Sequence, residues 1–137
     1  MKLYTQLNFG GNCEAAFRFY EKHLGGKITM LMRVRDLPAG VQPPASWPDA
    51  VIHVRMDIGG VELIGNDVPP QHFKPLRSSY LYLALDSTAE AERVWAVLSD
   101  GGEVGMPLAE TFFASRFGQV RDKFGTLWSI IHERARG

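Results

Sequence analysis

The sequence predicts an α+β fold made of two β-α-β-β-β modules, and three observations predict it. The stretch Asn12 to Lys27 (NCEAAFRFYEKHLGGK) returns in the same design as Thr88 to Glu103 (TAEAERVWAVLSDGGE). An offset of 76 residues lays Glu14-Ala15 on Glu90-Ala91, Phe19 on Trp95 and Gly25-Gly26 on Gly101-Gly102. Each stretch follows one β-prone run and precedes three more, which is the pattern of one unit used twice. Neither half alone would bury much core, so the halves are expected to pack as one domain of 137 residues. Module one spans 1–66, a linker 67–78 and module two 79–137. Each module lays its helix on one face of a curved mixed sheet, and the sheets are expected to enclose a cavity with their other faces.

Met1 to Phe9 reads as the first strand and leads into a helix. Cys13, Ala16, Phe17, Tyr20 and Leu24 recur at helical spacing and line one side. Asn12 is the expected N-cap. Lys27 to Arg35 is β-branched and apolar enough for a strand. Asp36 to Asp49 then carries Pro38, Pro43, Pro44, Pro48 and Gly40, which excludes regular structure and predicts a long loop. Ala50 to Ile58 alternates, with Ile52, Val54, Met56 and Ile58 expected on one face and His53, Arg55 and Asp57 on the other. Gly59-Gly60 signals a hairpin, and Val61 to Gly65 returns as a strand.

In the second module Tyr80 to Asp86 is a strand, and Ser87-Thr88-Ala89-Glu90 has the form of a capping box. Ala91, Val94, Trp95 and Leu98 form the apolar side of the second helix. Paired glycines end both helices. Glu103 to Glu110 follows as a strand, interrupted by Pro107 and so placed at a sheet edge. Phe112 to Arg121 and Thr126 to Ile131 complete the set, joined by a turn at Asp122 to Gly125.

Composition bounds the function. Fifteen basic and fifteen acidic residues cancel, so no electrostatic footprint for nucleic acid or an anionic membrane is expected. No apolar run reaches the roughly 20 residues of a membrane span, and the N-terminus lacks a signal-peptide core. The lone cysteine, Cys13, excludes an internal disulfide and suits a small buried hydrophobe. Cytoplasmic localisation is the expectation.

The opening LNFGGNCEAAFRFYEKHLGG, the His53 strand followed by GGVELIGND, and above all TFFASRFGQVRDKFGTLW resemble the PhnB-like branch of the vicinal oxygen chelate (glyoxalase/bleomycin resistance/dioxygenase) superfamily. The resemblance covers essentially the whole chain and implies a glyoxalase-like fold. Members of the branch are often labelled after a ubiquinone-pathway methyltransferase. That label finds no support in a glycine-rich nucleotide loop within a parallel β-α-β unit.

The resemblance also implies four inward-facing metal ligands, two per module, which would polarise two adjacent substrate oxygens. Carried onto this chain they fall at Thr5, Glu62, Tyr80 and Ser129, or at Ile64 in place of Glu62 if one gap moves. At most one is a good divalent-metal ligand, so no metal cofactor is expected. His53 and Glu62, on strands joined by the glycine turn, could approach as an acid–base pair or surrogate ligands, or each could be structural. Arg55 shares the His53 face and is a candidate cavity wall.

Phe113, Phe117 and Trp128 offer aromatic surface for a ligand or for the core. Arg116 can hold an anion by two parallel hydrogen bonds or serve in a structural ion pair. Two functions follow: a metal-free protein binding a small planar or anionic molecule, favoured for want of metal ligands, or a metal-dependent lyase, isomerase or dioxygenase-like enzyme. A homodimer, with or without swapped modules, is implied by the resemblance and by the proline-rich linker.

Overall fold

The computed structural model describes residues 1–41 and 47–134; Pro43 and Pro44 of the expected loop lie outside them. The chain divides into two compact units, Met1–Lys74 and Pro75–Gly137. Unit one holds β1 (Thr5–Phe9), α1 (Cys13–Leu24), β2 (Lys27–Arg33), β3 (Val51–Ile58) and β4 (Val61–Asp67). Its sheet has the order β1-β4-β3-β2, with β1 parallel to β4 and the other pairs antiparallel. Unit two holds β5 (Leu81–Ala84), α2 (Thr88–Ser99), β6 (Glu103–Ala109), β7 (Ala114–Arg121) and β8 (Leu127–Glu133). The order β5-β8-β7-β6 and the strand directions repeat those of unit one. The fold is α+β, two β-α-β-β-β modules in series.

In unit one Cys13, Ala16, Phe17 and Tyr20 of α1 are buried against a sheet face bearing Leu7, Phe9, Val51, Val54, Met56 and Leu63. Gly65 makes the close approach possible, since a Cβ there would stand 2.4 Å from the Phe17 ring. Burial pushes the Cys13 thiol pKa well up, and the Asp67 charge adds to the shift. In unit two Ala91, Val94 and Leu98 of α2 are buried and Trp95 is half-buried. Here Gly118 is the seat: a Cβ on it would meet the Trp95 ring at 2.8 Å and the Leu108 backbone at 2.9 Å.

The helix starts differ from expectation. Asn12 makes no side-chain cap for α1. The carboxylate of Asp67, at the end of β4, takes that role by accepting from Gly11 N (3.0 Å) and Cys13 N (3.1 Å), while its other oxygen accepts from Val51 N at 2.9 Å. One side chain thus joins β4, α1 and β3, and it lengthens β4 past the expected Gly65 into the presumed linker. Val68 N donates to Phe9 O, so the first linker residues also belong to unit one. In α2 Ser87 caps as expected, its Oγ accepting from Glu90 N at 3.1 Å, but the Glu90 carboxylate turns to Arg93.

Gly25 closes α1 in the left-handed conformation. Gly59 and Gly60 both have positive φ (56° and 81°), the requirement of a tight hairpin turn whose twist matches the flanking strands. Pro107 lies on edge strand β6, where the register with β7 slips between Met106 and Ala109. The alternation of β3 needs one correction. The register with β2 shifts between Met32 and Arg33, opposite Ile52, so Val51 rather than Ile52 joins Val54 and Met56 under the helix.

Two expected outcomes follow. Asp67→Ala leaves three backbone N–H groups without their charged acceptor and should cost about 3 kcal/mol, measured by urea unfolding. Glu14 accepts from Arg33 Nε at 2.8 Å and pairs with its Nη2, and this holds the Glu14 carboxyl below its ordinary value. A lowered carboxyl stabilises the fold above the ordinary carboxylate range and loses that contribution as pH falls through the lowered value. Glu14→Gln should therefore flatten the acid limb of a stability–pH curve and leave its neutral-to-basic limb in shape.

Candidate functional site

The face of sheet one turned away from α1 is polar, and β pleating puts it there. His53, Arg55 and Asp57 alternate with the buried Val54 and Met56 on β3. Glu62, Ile64 and Asn66 alternate with Leu63 and Gly65 on β4. On β1, Gln6 and Asn8 alternate with the buried Leu7 and Phe9. Paired residues share a face, so Gln6 stands beside Ile64, Asn8 beside Asn66, Arg55 across from Ile64 and Asp57 across from Glu62.

Arg55 is the hub. Its Nε donates to His53 Nε2 at 3.1 Å, its Nη1 lies 3.2 Å from Glu62 Oε1, and its Cζ sits 5.7 Å from the centre of the Tyr4 ring. His53 and Glu62 are thus brought together as the sequence suggested, but through an intervening cation. Nearby, Gln6 Nε2 donates to Asn66 Oδ1 at 2.7 Å and to Asn8 Oδ1 at 3.4 Å, forming a cluster of carboxamides. An open recess of about 690 Å³ adjoins this network, lined by Lys2, Tyr4, Asp57 and Glu62 among others.

The candidates of unit two divide between the two faces of sheet two. Phe117 pairs with Ile131 on the face away from α2, and the Phe113 ring meets it edge-on at 5.2 Å. Phe113 itself precedes β7, which starts at Ala114 rather than at the expected Phe112. Arg116 and Trp128 lie on the opposite side. Arg116 Nε donates to Glu92 Oε1 of α2 at 3.1 Å, so it serves a structural ion pair, with a helix carboxylate as partner. Trp128 pairs with Val120, two residues from the helix-facing Gly118, and is 3% exposed. Its Nε1 donates to Asp122 Oδ2 at 2.9 Å, so it is core and not a ligand wall.

The sequence reading passed over two groups. Asp122 accepts from Phe124 N and Thr126 N as well as from Trp128, and so holds the β7–β8 turn. Ser115, where the β7–β8 register shifts, lies 2.5 Å from His132 Nδ1 and 3.2 Å from Thr88 Oγ1 at the start of α2. An Asp opening the turn Asp122 to Gly125 could have pointed to the first. Nothing local marks the second.

The four positions carried over as metal ligands do not suit a divalent ion. Thr5 pairs with Leu63 on the α1 side, so Gln6 is the side chain of β1 that faces away from the helix. Glu62 is committed to Arg55, Ser129 Oγ accepts from Gln119 Nε2 at 3.1 Å, and Tyr80 precedes β5. Among the described residues no group of three or more His, Cys, Asp or Glu side chains could hold a metal ion.

The 3-demethylubiquinone-9 3-methyltransferase family matches residues 1–131. The chain belongs to this PhnB-like family. YjdN of Escherichia coli K12 is a relative, 30% identical over 95% of this chain and 94% of its own. Among solved structures, PA1353 of Pseudomonas aeruginosa is 36% identical with a TM-score of 0.88 over 98% of this chain and 99% of that one. The PhnB protein of Bacillus cereus is 26% identical with a TM-score of 0.82 over 96% and 99%. A glyoxalase/bleomycin resistance/dioxygenase domain from Frankia, 14% identical with a TM-score of 0.64 over 96% and 94%, shares the fold. That likeness is one of fold. The strands flanking each helix of this PhnB-like chain lie at opposite edges of their sheet, unlike the adjacent parallel strands of a nucleotide-binding crossover. No helix among the described residues is long and apolar enough to cross a membrane.

Trp128→Phe keeps an aromatic ring but removes the N–H donated to Asp122 and part of the buried ring volume. It should cost about 2 kcal/mol in urea unfolding, the range for a hydrogen bond to a charged group.

Proposed function

We propose that this PhnB-like protein binds a small molecule without a metal ion, against the face of sheet one that carries Tyr4, Gln6, Asn8, His53, Arg55 and Glu62. One observation carries the reading: the Arg55 guanidinium lies between His53 and Glu62. A fixed positive charge there repels a divalent cation and occupies the imidazole lone pair and the carboxylate that would ligate it. The same arrangement leaves carboxamide, guanidinium and aromatic groups on one surface, which suits a polar ligand with an unsaturated body.

The edge-on pair Phe113–Phe117 of unit two supplies aromatic surface of the kind a planar ligand stacks on. Exposed Phe112, Val104 and Met106 favour a homodimer as the working form.

Elemental analysis of purified protein should find no stoichiometric Mn, Ni, Zn or Fe. Thermal shift across a panel of small oxygenated molecules should find a ligand that, at a hundredfold excess over Kd, adds about 2.7 kcal/mol. A bound transition metal at one per chain would overturn the reading in favour of a metal-dependent enzyme. Light scattering at twice the chain mass is expected for the dimer.

A further inference from the structure

Resting on that reading, we infer that the ligand is a small carboxylic acid with a second oxygen acceptor at its far end, held between Arg55 and Asn8. The inference comes from which donors the network leaves unclaimed. Arg55 has five N–H groups. Nε serves His53 and Nη1 serves Glu62, while the two N–H groups of Nη2 have no partner among the described residues. The Arg55 side chain is 37% exposed. Asn8 Oδ1 accepts from Gln6, yet the Asn8 amide nitrogen donates to nothing among the described residues.

On β4, the strand between those of the two donors, stands Ile64, paired with Arg55 on one side and on the other with Gln6, two residues before Asn8. Arg55 on β3 and Asn8 on β1 are two strand spacings apart and offset by two residues along the strand, roughly 12 Å between backbones. A guanidinium edge matches a carboxylate by two parallel N–H···O contacts, and an amide N–H₂ matches a carbonyl or hydroxyl oxygen. Ile64 would meet the apolar body that separates them. A molecule with a carboxylate at one end, a short planar body and a carbonyl or hydroxyl at the other satisfies all three.

The network also fixes the sense of each neighbour's effect. Glu62 competes with the ligand carboxylate for Arg55, and Asp57 across from Glu62 repels it. His53, accepting from Nε, orients the guanidinium and is a positioning residue. Lys2, on the rim of the adjoining recess, is the other nearby cation.

The test uses the full chain and three probes, 4-acetylbenzoate, its uncharged methyl ester and benzoate, titrated by calorimetry. The acid should bind, and the ester should bind at least about tenfold more weakly, as expected for losing a contact to a charged group. Arg55→Gln should weaken the acid by a similar factor with the ester unchanged. Glu62→Gln should tighten the acid roughly two- to fivefold, the worth of an exposed ion pair. Asn8→Ala should weaken 4-acetylbenzoate but not benzoate, with urea unfolding confirming that each variant folds. Equal binding of acid and ester, no binding of either, or an Arg55→Gln variant that binds the acid normally would overturn the inference. Neutral ligands from the thermal-shift panel that bind while these acids do not would sink it and leave metal-free binding standing.

Discussion

Hydrogen bonds gathered by one carboxylate tie the elements of each unit together. Asp67 gathers the backbone N–H groups of Gly11, Cys13 and Val51, so the end of β4, the start of α1 and the start of β3 meet at one side chain. Asp122 gathers Phe124 N, Thr126 N and the Trp128 indole in unit two. A carboxylate is suited to this because it only accepts, and charged acceptors make the stronger hydrogen bonds. With α1 fixed at its first turn, Phe17 is carried onto Gly65 and the apolar sides of β1, β3 and β4 are assigned to the helix. Strand pleating then leaves the polar side chains of the same strands on the other face.

That face is organised by charge. Arg55 meets the ring nitrogen of His53 and the carboxylate of Glu62 at once. Acid–base work by His53 and Glu62 would first require the guanidinium to leave.

Much of the fold was legible because its signals are local. Helical spacing picked out the buried Cys13, Ala16, Phe17 and Tyr20, the S-x-x-E pattern found the Ser87 cap, and Pro107 marked an edge strand. The polar face of β3 was also readable, since His53, Arg55 and Asp57 alternate with apolar residues. What failed was register and side. A single extra residue opposite Met32 and Arg33 exchanged Ile52 for Val51 under the helix, and periodicity carries no mark of such a bulge. Thr5 was expected to face away from the helix and lies on the helix side, since a one-residue step along a strand reverses the face. Trp128 could not be sided from sequence, because Leu127 to Ile131 is buried throughout and shows no alternation. Asp67 acts on Cys13 across 54 positions of the chain, beyond the reach of any capping pattern.

The slipped register of β6 has a consequence for the protein in a crowded cell. An edge strand with a regular row of free amides and carbonyls invites a stray chain to add itself as the next strand, and repeated addition builds fibres. Pro107 removes one donor from that row, and the slips between Val104 and Ala109 break its spacing. The flank is thereby a poor template for amyloid growth, a protection written into the same residues that make the strand irregular.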